Sequence, residues 1–254
     1  MSKEAVKSSK YEIDMTTGAI LPKMLRFTLP LMASSMLQLL FNAADIIIVG
    51  KSGEMGDYYM GAVGSNGALI NLLIGFFIGL SVGSNVIAAR CFGSKDDEGL
   101  SKTVHTSMMI ALVSGALLTV AGLLLSRQML GLMGTPDELI GYSTTYLMIY
   151  FLGMIPTTVY NFGSSLLRAI GDTRRPLYYL TIAGVLNVLL NMFTVLVLDL
   201  NVAGVAIATV VSQTVSAALV VICLMREKGA IRFEWRKLSV DKSKLGQIVR
   251  IGLP

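Results

Sequence analysis

Polar and charged side chains gather in short clusters along this chain, and between them the sequence runs apolar for long stretches. A hydrocarbon core about 30 Å thick takes about 20 residues of helix to cross. Six stretches reach that length: residues 27–49, 62–89, 104–125, 142–162, 177–198 and 202–225. The second is longer than a perpendicular span needs and is expected to tilt or to end early. The pattern predicts an all-α polytopic membrane protein. It divides into a tail over 1–26, a six-helix transmembrane lobe over 27–225, a basic linker over 226–247 and a final segment over 248–254.

Inside the spans the polar residues follow helical spacing. Ser35, Gln38, Asn42 and Asp45 share one face of the first stretch. Gly184, Asn187, Asn191 and Thr194 share a face of the fifth, and Thr209, Ser212, Gln213 and Ser216 recur in the sixth. Counted at 1.5 Å per residue, Asp45 falls about 6 Å below one boundary, Asn191 and Thr209 about 10 Å, and Asn187 about 16 Å. These four oxygen-bearing side chains therefore occupy one layer. Gln38, Asn42 and Gln213 are candidates for the lining of a cavity beside it. Asp45 is the ionisable residue that the pattern puts well inside a span, where a carboxylate costs about 2.5–3.5 kcal/mol on insertion scales. Such a group marks an ion or substrate path. It can ligate a hard cation such as Na⁺, or it can carry a proton, because burial disfavours the charged form. The plainer alternative is an Asp near a helix end that snorkels to water. Gly75, Gly79 and Gly83 form a stripe that lets a neighbouring helix come close.

Composition agrees with a membrane chain. Of 254 residues, 54% are hydrophobic and 15% charged, against about 25% charged in soluble domains. The net charge of +5 does not point to nucleic acid, because all the basic residues except Lys51 and Arg127 fall on one side of the predicted spans. That asymmetry predicts a multi-pass protein of the cell membrane, taken as a bacterial inner membrane, with its N-terminus in the cytoplasm. The first 26 residues are polar and do not read as a cleavable signal. Cys91 and Cys223 lie at cytoplasmic helix ends, where a structural disulfide is not expected. With His105, which is expected at the interface, they do not make a metal site. Trp235, in the basic tail, reads as a surface anchor. The 15 Met residues are read as packing or lipid contact, or as the wall of an adaptable cavity. No Ser/His/Asp set shares a depth and no Gly-rich phosphate loop is present, so neither an enzyme nor a cofactor is expected. Arg26, Leu29 and Pro30 recur at the same spacing as Arg250, Leu253 and Pro254. The recurrence predicts that a second repeat begins at the end of the chain.

Four segments carry a resemblance. Residues 160–176 read YNFGSSLLRAIGDTRRP, residues 88–96 AARCFGSKD, residues 42–50 NAADIIIVG and residues 204–213 GVAIATVVSQ. In that order and spacing the chain resembles the MATE family, the multidrug and toxic compound extrusion transporters. The resemblance implies one lobe of a twelve-helix exporter, with the C-terminal lobe missing, that exchanges bulky organic cations or drugs for Na⁺ or H⁺. It maps the family's ion-coupling set to Asp45, Asn187, Asn191 and Thr209, a possible Na⁺ site. It maps a loop motif of structural or gating character to Arg168, Gly171, Asp172, Thr173 and Pro176, and a helix bend to Pro30. Many relatives carry Asp where this chain has Asn191, which implies weaker Na⁺ binding and a larger role for H⁺ at Asp45. The competing readings are a flippase for lipid-linked oligosaccharides of the same superfamily, a membrane-bound enzyme, and an inactive or dimerising half-transporter. A flippase of that kind places Arg or Lys in its cavity to meet pyrophosphate, and the spans hold none.

Overall fold

The computed structural model describes residues 13, 19–51 and 55–253, apart from the side chains of residues 65 and 68. Most of the expected tail, with Lys3, Lys7 and Lys10, and the last residue of the expected repeat, Pro254, lie outside the described residues. The architecture is a helical bundle: α1 (Ile20–Gly50), α2 (Gly56–Gly93), α3 (Asp97–Leu132), α4 (Asp137–Leu152), α5 (Met154–Ala169), α6 (Arg174–Asn191), α7 (Asn201–Arg226) and α8 (Lys242–Gly252). Among the described residues, five helices are long and apolar enough to cross a membrane, and the α4–α5 pair makes a sixth if counted as one span.

The apolar pattern locates the spans, and local chemistry sets their ends. α1 starts at Ile20, earlier than the apolar run, and continues without interruption through Pro30. The stretch expected as one helix over 142–162 is broken: α4 and α5 meet at Gly153 with a bend of 50°. The cause is Pro156, which has no N–H to give the carbonyl of Leu152 and whose ring crowds that carbonyl. Gly153 N–H instead bonds back to Tyr150 O at 2.9 Å, and Thr157 N–H to Gly153 O at 3.1 Å restarts the helix. α3 is capped by Asp96, whose carboxylate accepts from Gly99 N–H at 2.9 Å, and α8 by Asp241, which accepts from Lys244 N–H. α6 ends in a π-helical turn, Met192–Val197. Thr194 Oγ1 then donates to Gly204 O at 3.0 Å and fastens α6 to α7.

Several buried hydroxyls bond back to a carbonyl of their own helix, which satisfies them without water. Thr103 donates to Gly99 O at 2.7 Å, Thr157 to Gly153 O at 2.8 Å and Ser212 to Ala208 O at 2.7 Å. Two apolar clusters fill the bundle. One, around Leu166, Leu167, Val220 and Phe233, belongs to the end that carries the α2–α3 and α5–α6 loops. The other, around Val49, Leu147, Phe151 and Val205, belongs to the opposite end. α1 packs against α6 and α2. Elsewhere it presents Leu29, Met32, Met36, Leu39 and Leu40, each more than half exposed.

The segment after α7 is docked on the bundle. Ile231 and Phe233 are buried, and Asp241 N–H bonds to Thr106 Oγ1 at 3.0 Å. His105, expected at the interface, is buried beneath this segment, because the chain folds back across α3 after leaving α7. Trp235 is half-exposed and lies edge-on against Phe233, 4.8 Å between ring centres. Cys91 and Cys223 are both free. The neighbour that the glycine stripe admits is α8. A Cβ on Gly83 would sit 2.3 Å from Ile248 O, and one on Gly79 2.7 Å from Gly252 O, while a Cβ on Gly75 would meet nothing within 4 Å.

These contacts give opposite expectations for two members of one stripe. Gly83→Ala presses a methyl against backbone that cannot step aside, and should cost about 1–3 kcal/mol. Gly75→Ala should gain about 0.5–1 kcal/mol from helix propensity. Thermal unfolding in detergent compares them, and equal melting temperatures would show that α8 does not seat on the stripe.

Candidate functional site

The layer predicted from depth closes into a hydrogen-bonded set across three helices. Asp45 on α1 is 8% exposed and Asn191, the last residue of α6, is fully buried. Asn191 Nδ2 donates to Asp45 Oδ1 at 2.5 Å and lies 3.4 Å from Asn187 Oδ1. Asn187 Nδ2 donates in turn to Thr209 Oγ1 on α7 at 3.4 Å, and Thr209 itself donates to Val205 O at 2.9 Å. Asp45 therefore turns into the bundle and does not snorkel. The helices approach closely because Gly184 has no side chain: a Cβ there would fall 1.8 Å from the ring of Phe41, which lies across α6. The π-helical turn begins directly after Asn191, and such turns recur at functional sites because they rotate the residues around them.

A cavity of about 420 Å³ opens beside this set. Gln38, Asn42 and Gln213 line it, together with Asp45, Asn187 and Thr209. Ser212 and Ser216 extend the polar strip along α7. The sequence reading missed the opposite wall. Tyr146 and Tyr150 on α4 stack with ring centres 5.9 Å apart and planes at 24°, and Asn71 and Asn161 complete the lining. The i, i+4 spacing of the two tyrosines carried the signal, but tyrosine in an apolar run reads as packing. Methionine is not among the lining residues. The three Met side chains of α1, Met24, Met32 and Met36, are instead exposed.

The donors of the buried set suit a hard cation. A carboxylate, a threonine hydroxyl and amide oxygens are the ligand types such ions take. Asn191 Oδ1 is buried without a hydrogen-bond partner, leaving an oxygen lone pair next to Asp45. The set holds a single carboxylate, so it can equally hold one proton at Asp45.

The loop motif lies elsewhere and its contacts are structural. Gly171 takes φ +87°, a left-handed turn that a side chain would strain. Asp172 is fully buried. Its Oδ1 accepts from the N–H groups of Arg174 and Arg175, each at 3.1 Å, and so caps α6. Arg175 pairs with Asp172 and with Glu227, which ties the loop to the end of α7. Arg168 Nε donates to Ser164 O at 3.2 Å, and Tyr160 donates to the carbonyl of Pro176 at 3.2 Å. Thr173 is buried with an unpaired hydroxyl. Arg168, Gly171, Asp172, Thr173, Pro176 and Pro30 do not line the cavity, whereas Tyr160 does.

A helical membrane bundle with a buried polar set beside a cavity is the form of a transporter lobe. Residues 30–193 match the MatE family, and the chain belongs to it. The Bacillus subtilis protein named "Probable multidrug resistance protein YoeA" is 32% identical over 235 residues, covering 90% of this chain and 50% of that relative. A solved structure described as MATE in the bent conformation superposes with a TM-score of 0.85 at 26% identity, over 93% of this chain and 52% of its own. A MOP superfamily transporter from Pyrococcus furiosus, described as having a binding pocket of reverse polarity that suggests a different function, superposes with a TM-score of 0.83 at 27% identity, over 91% of this chain and 51% of its own. The chain spans about half the length of the relatives it matches.

Removing Asp172 from the buried Asp172–Arg175–Glu227 cluster should be costly, because it uncaps α6 and leaves Arg175 with Glu227 as its one carboxylate partner in the cluster. Asp172→Ala is expected to lose about 2–3 kcal/mol, the worth of a cap and a charged hydrogen bond, read as a lower melting temperature in detergent. A loss below about 1 kcal/mol, the size of an exposed pair, would mean that the cluster is solvated.

Proposed function

We propose that this lobe belongs to a cation-coupled exporter of drugs or organic cations, with Asp45 as its coupling residue and Na⁺ or H⁺ as the coupling ion. The observation that carries the reading is the position of Asp45, buried, bonded to Asn191, and on the wall of the cavity. A carboxylate beside stacked tyrosine rings suits an organic cation through both its charge and the ring faces. No Lys or Arg lines the cavity, which favours cations over the pyrophosphate of a lipid-linked oligosaccharide. The basic residues at the loop end of the bundle support a cytoplasmic N-terminus.

Coupling follows from the charge on Asp45. An ionised carboxylate holds the Asn191 amide in a charge-assisted bond, about twice as strong as a neutral one. Loading Asp45 with H⁺ removes that charge, and loading it with Na⁺ draws the neighbouring oxygens inward. Either event changes how firmly α1 sits on α6, and the cavity wall with it. Since the ion and a cationic drug both need the same carboxylate, binding of one weakens binding of the other, and this reciprocity is the thermodynamic basis of exchange.

The test is gradient-driven drug export in inverted vesicles carrying the product of the whole reading frame. Asp45→Asn should abolish export under both Na⁺ and H⁺ gradients while the protein still folds. Asn191→Asp adds a second carboxylate and should lower the Na⁺ concentration needed for half-maximal export. Unchanged export in Asp45→Asn would reduce Asp45 to a structural role. Absence of gradient-driven export of any cationic drug by the unaltered protein would count against the exporter itself.

A further inference from the structure

The linker between α7 and α8 is held by an imidazole whose two ring nitrogens have fixed and opposite roles. His105 Nδ1 lies 2.7 Å from Ser101 O. A carbonyl only accepts, so Nδ1 carries the hydrogen. On the other side Glu234 N–H donates to His105 Nε2 at 3.2 Å. A backbone N–H only donates, so Nε2 must be bare. The two partners together fix one neutral tautomer without reference to any other residue. A proton on Nε2 would set N–H against N–H, break the bond to the linker and leave a cation beneath it. His105 is 3% exposed, and its ring packs on Phe233 with centres 5.7 Å apart. A charged ring there would be poorly solvated unless the linker lifts.

We propose that His105 is a proton-sensitive latch: its neutral imidazole holds residues 229–241 on the bundle, and a second ring proton releases them. The segment joins α7 to α8, so release would free the tether of a helix seated on the α2 glycine stripe. The latch is independent of what the lobe transports.

The charged groups around the imidazole are paired with one another or exposed. On the linker, Glu234 bonds to Lys237 at 3.1 Å, which holds its carboxyl below the usual carboxylate range. It therefore stays ionised around neutral pH. Arg232, also on the linker, is exposed. On α3, Glu98 and Lys102 pair with each other at 2.6 Å. At the start of α8, Asp241 caps Lys244 N–H, and Lys244 Nζ donates to Cys91 Sγ on α2 at 3.3 Å.

Hydrogen–deuterium exchange of the purified chain in detergent tests the latch, read on peptides over 229–241 and corrected for the intrinsic pH dependence of exchange. Protection of these peptides should be high at about pH 8 and fall on the order of tenfold by about pH 5.5, because once the linker lifts the ring meets water, where a histidine takes its second proton near pH 6.5. In His105→Gln the amide oxygen can still accept from Glu234 N–H but does not titrate, so protection should be independent of pH. Trp235 is the chain's single tryptophan and packs on Phe233, so acrylamide quenching gives a second readout that does not depend on recovering those peptides. Glu234→Gln keeps the backbone donor and should keep the pH response. The latch is overturned if the unaltered chain shows no change between these pH values, if His105→Gln responds like the unaltered chain, or if Glu234→Gln abolishes the response.

Discussion

A carboxylate on a lipid-crossing helix must turn away from the lipid and find a donor, and the seat of α1 follows from that demand. α1 has little else to hold it. It packs on α6 and α2 and leaves most of its apolar side chains exposed. Between apolar helices in a bilayer there is no gain from excluding water, so close packing and hydrogen bonds decide which helices meet. Two features supply these for α1: the Asn191 amide on Asp45 and the ring of Phe41 laid into the gap at Gly184. The group proposed to receive the coupling ion is thus also the group that fixes the most loosely held helix. Any change in its charge is felt first at the α1–α6 contact, which forms one wall of the cavity.

The opposite end of the bundle follows a different rule. There the chain leaves the apolar layer, and ion pairs and caps replace the buried amide network. Asp172 caps α6 and holds Arg175, which reaches Glu227 beyond α7. His105 and Thr106 hold the linker that follows. Paired charges, a left-handed turn at Gly171 and helix caps hold this end, with the backbone-to-imidazole bond at His105 as its releasable contact. Movement tied to the charge on Asp45 is expected instead at α1 and around the π-helical turn after Asn191.

What was legible in the sequence reflects which signals are local. The face Ser35, Gln38, Asn42 and Asp45 and the matching faces of the fifth and sixth stretches obey the helical period. Counting residues from the span ends was enough to bring Asp45, Asn187, Asn191 and Thr209 to one depth. The turn at Gly171 and Asp172 has a local chemistry of its own, but the cap that Asp172 puts on α6 became visible only in the structure. Hydropathy failed where a local break sits inside an apolar run. Gly153 and Pro156 interrupt the fourth stretch, yet neither lowers its apolar character, so α4 and α5 read as one helix. The burial of His105 and the seat of α8 were invisible for another reason: both depend on where a distant linker lands.

The tyrosines show how the same limit bears on function. Tyr146 and Tyr150 gain their meaning from α1, because only the approach of Asp45 turns two aromatic side chains in an apolar run into one wall of a charged cavity. The bend at Gly153 belongs to the same construction. A straight helix through 142–169 would keep its two halves on one axis. The 50° turn gives α4 and α5 separate directions, with Tyr146 and Tyr150 on one and Thr157, Tyr160 and Asn161 on the other, all on the cavity. The proline that breaks the span thereby shapes the volume that the substrate would occupy. Its cost to the helix is offset by the hydrogen bonds at Gly153 and Thr157 that restart α5.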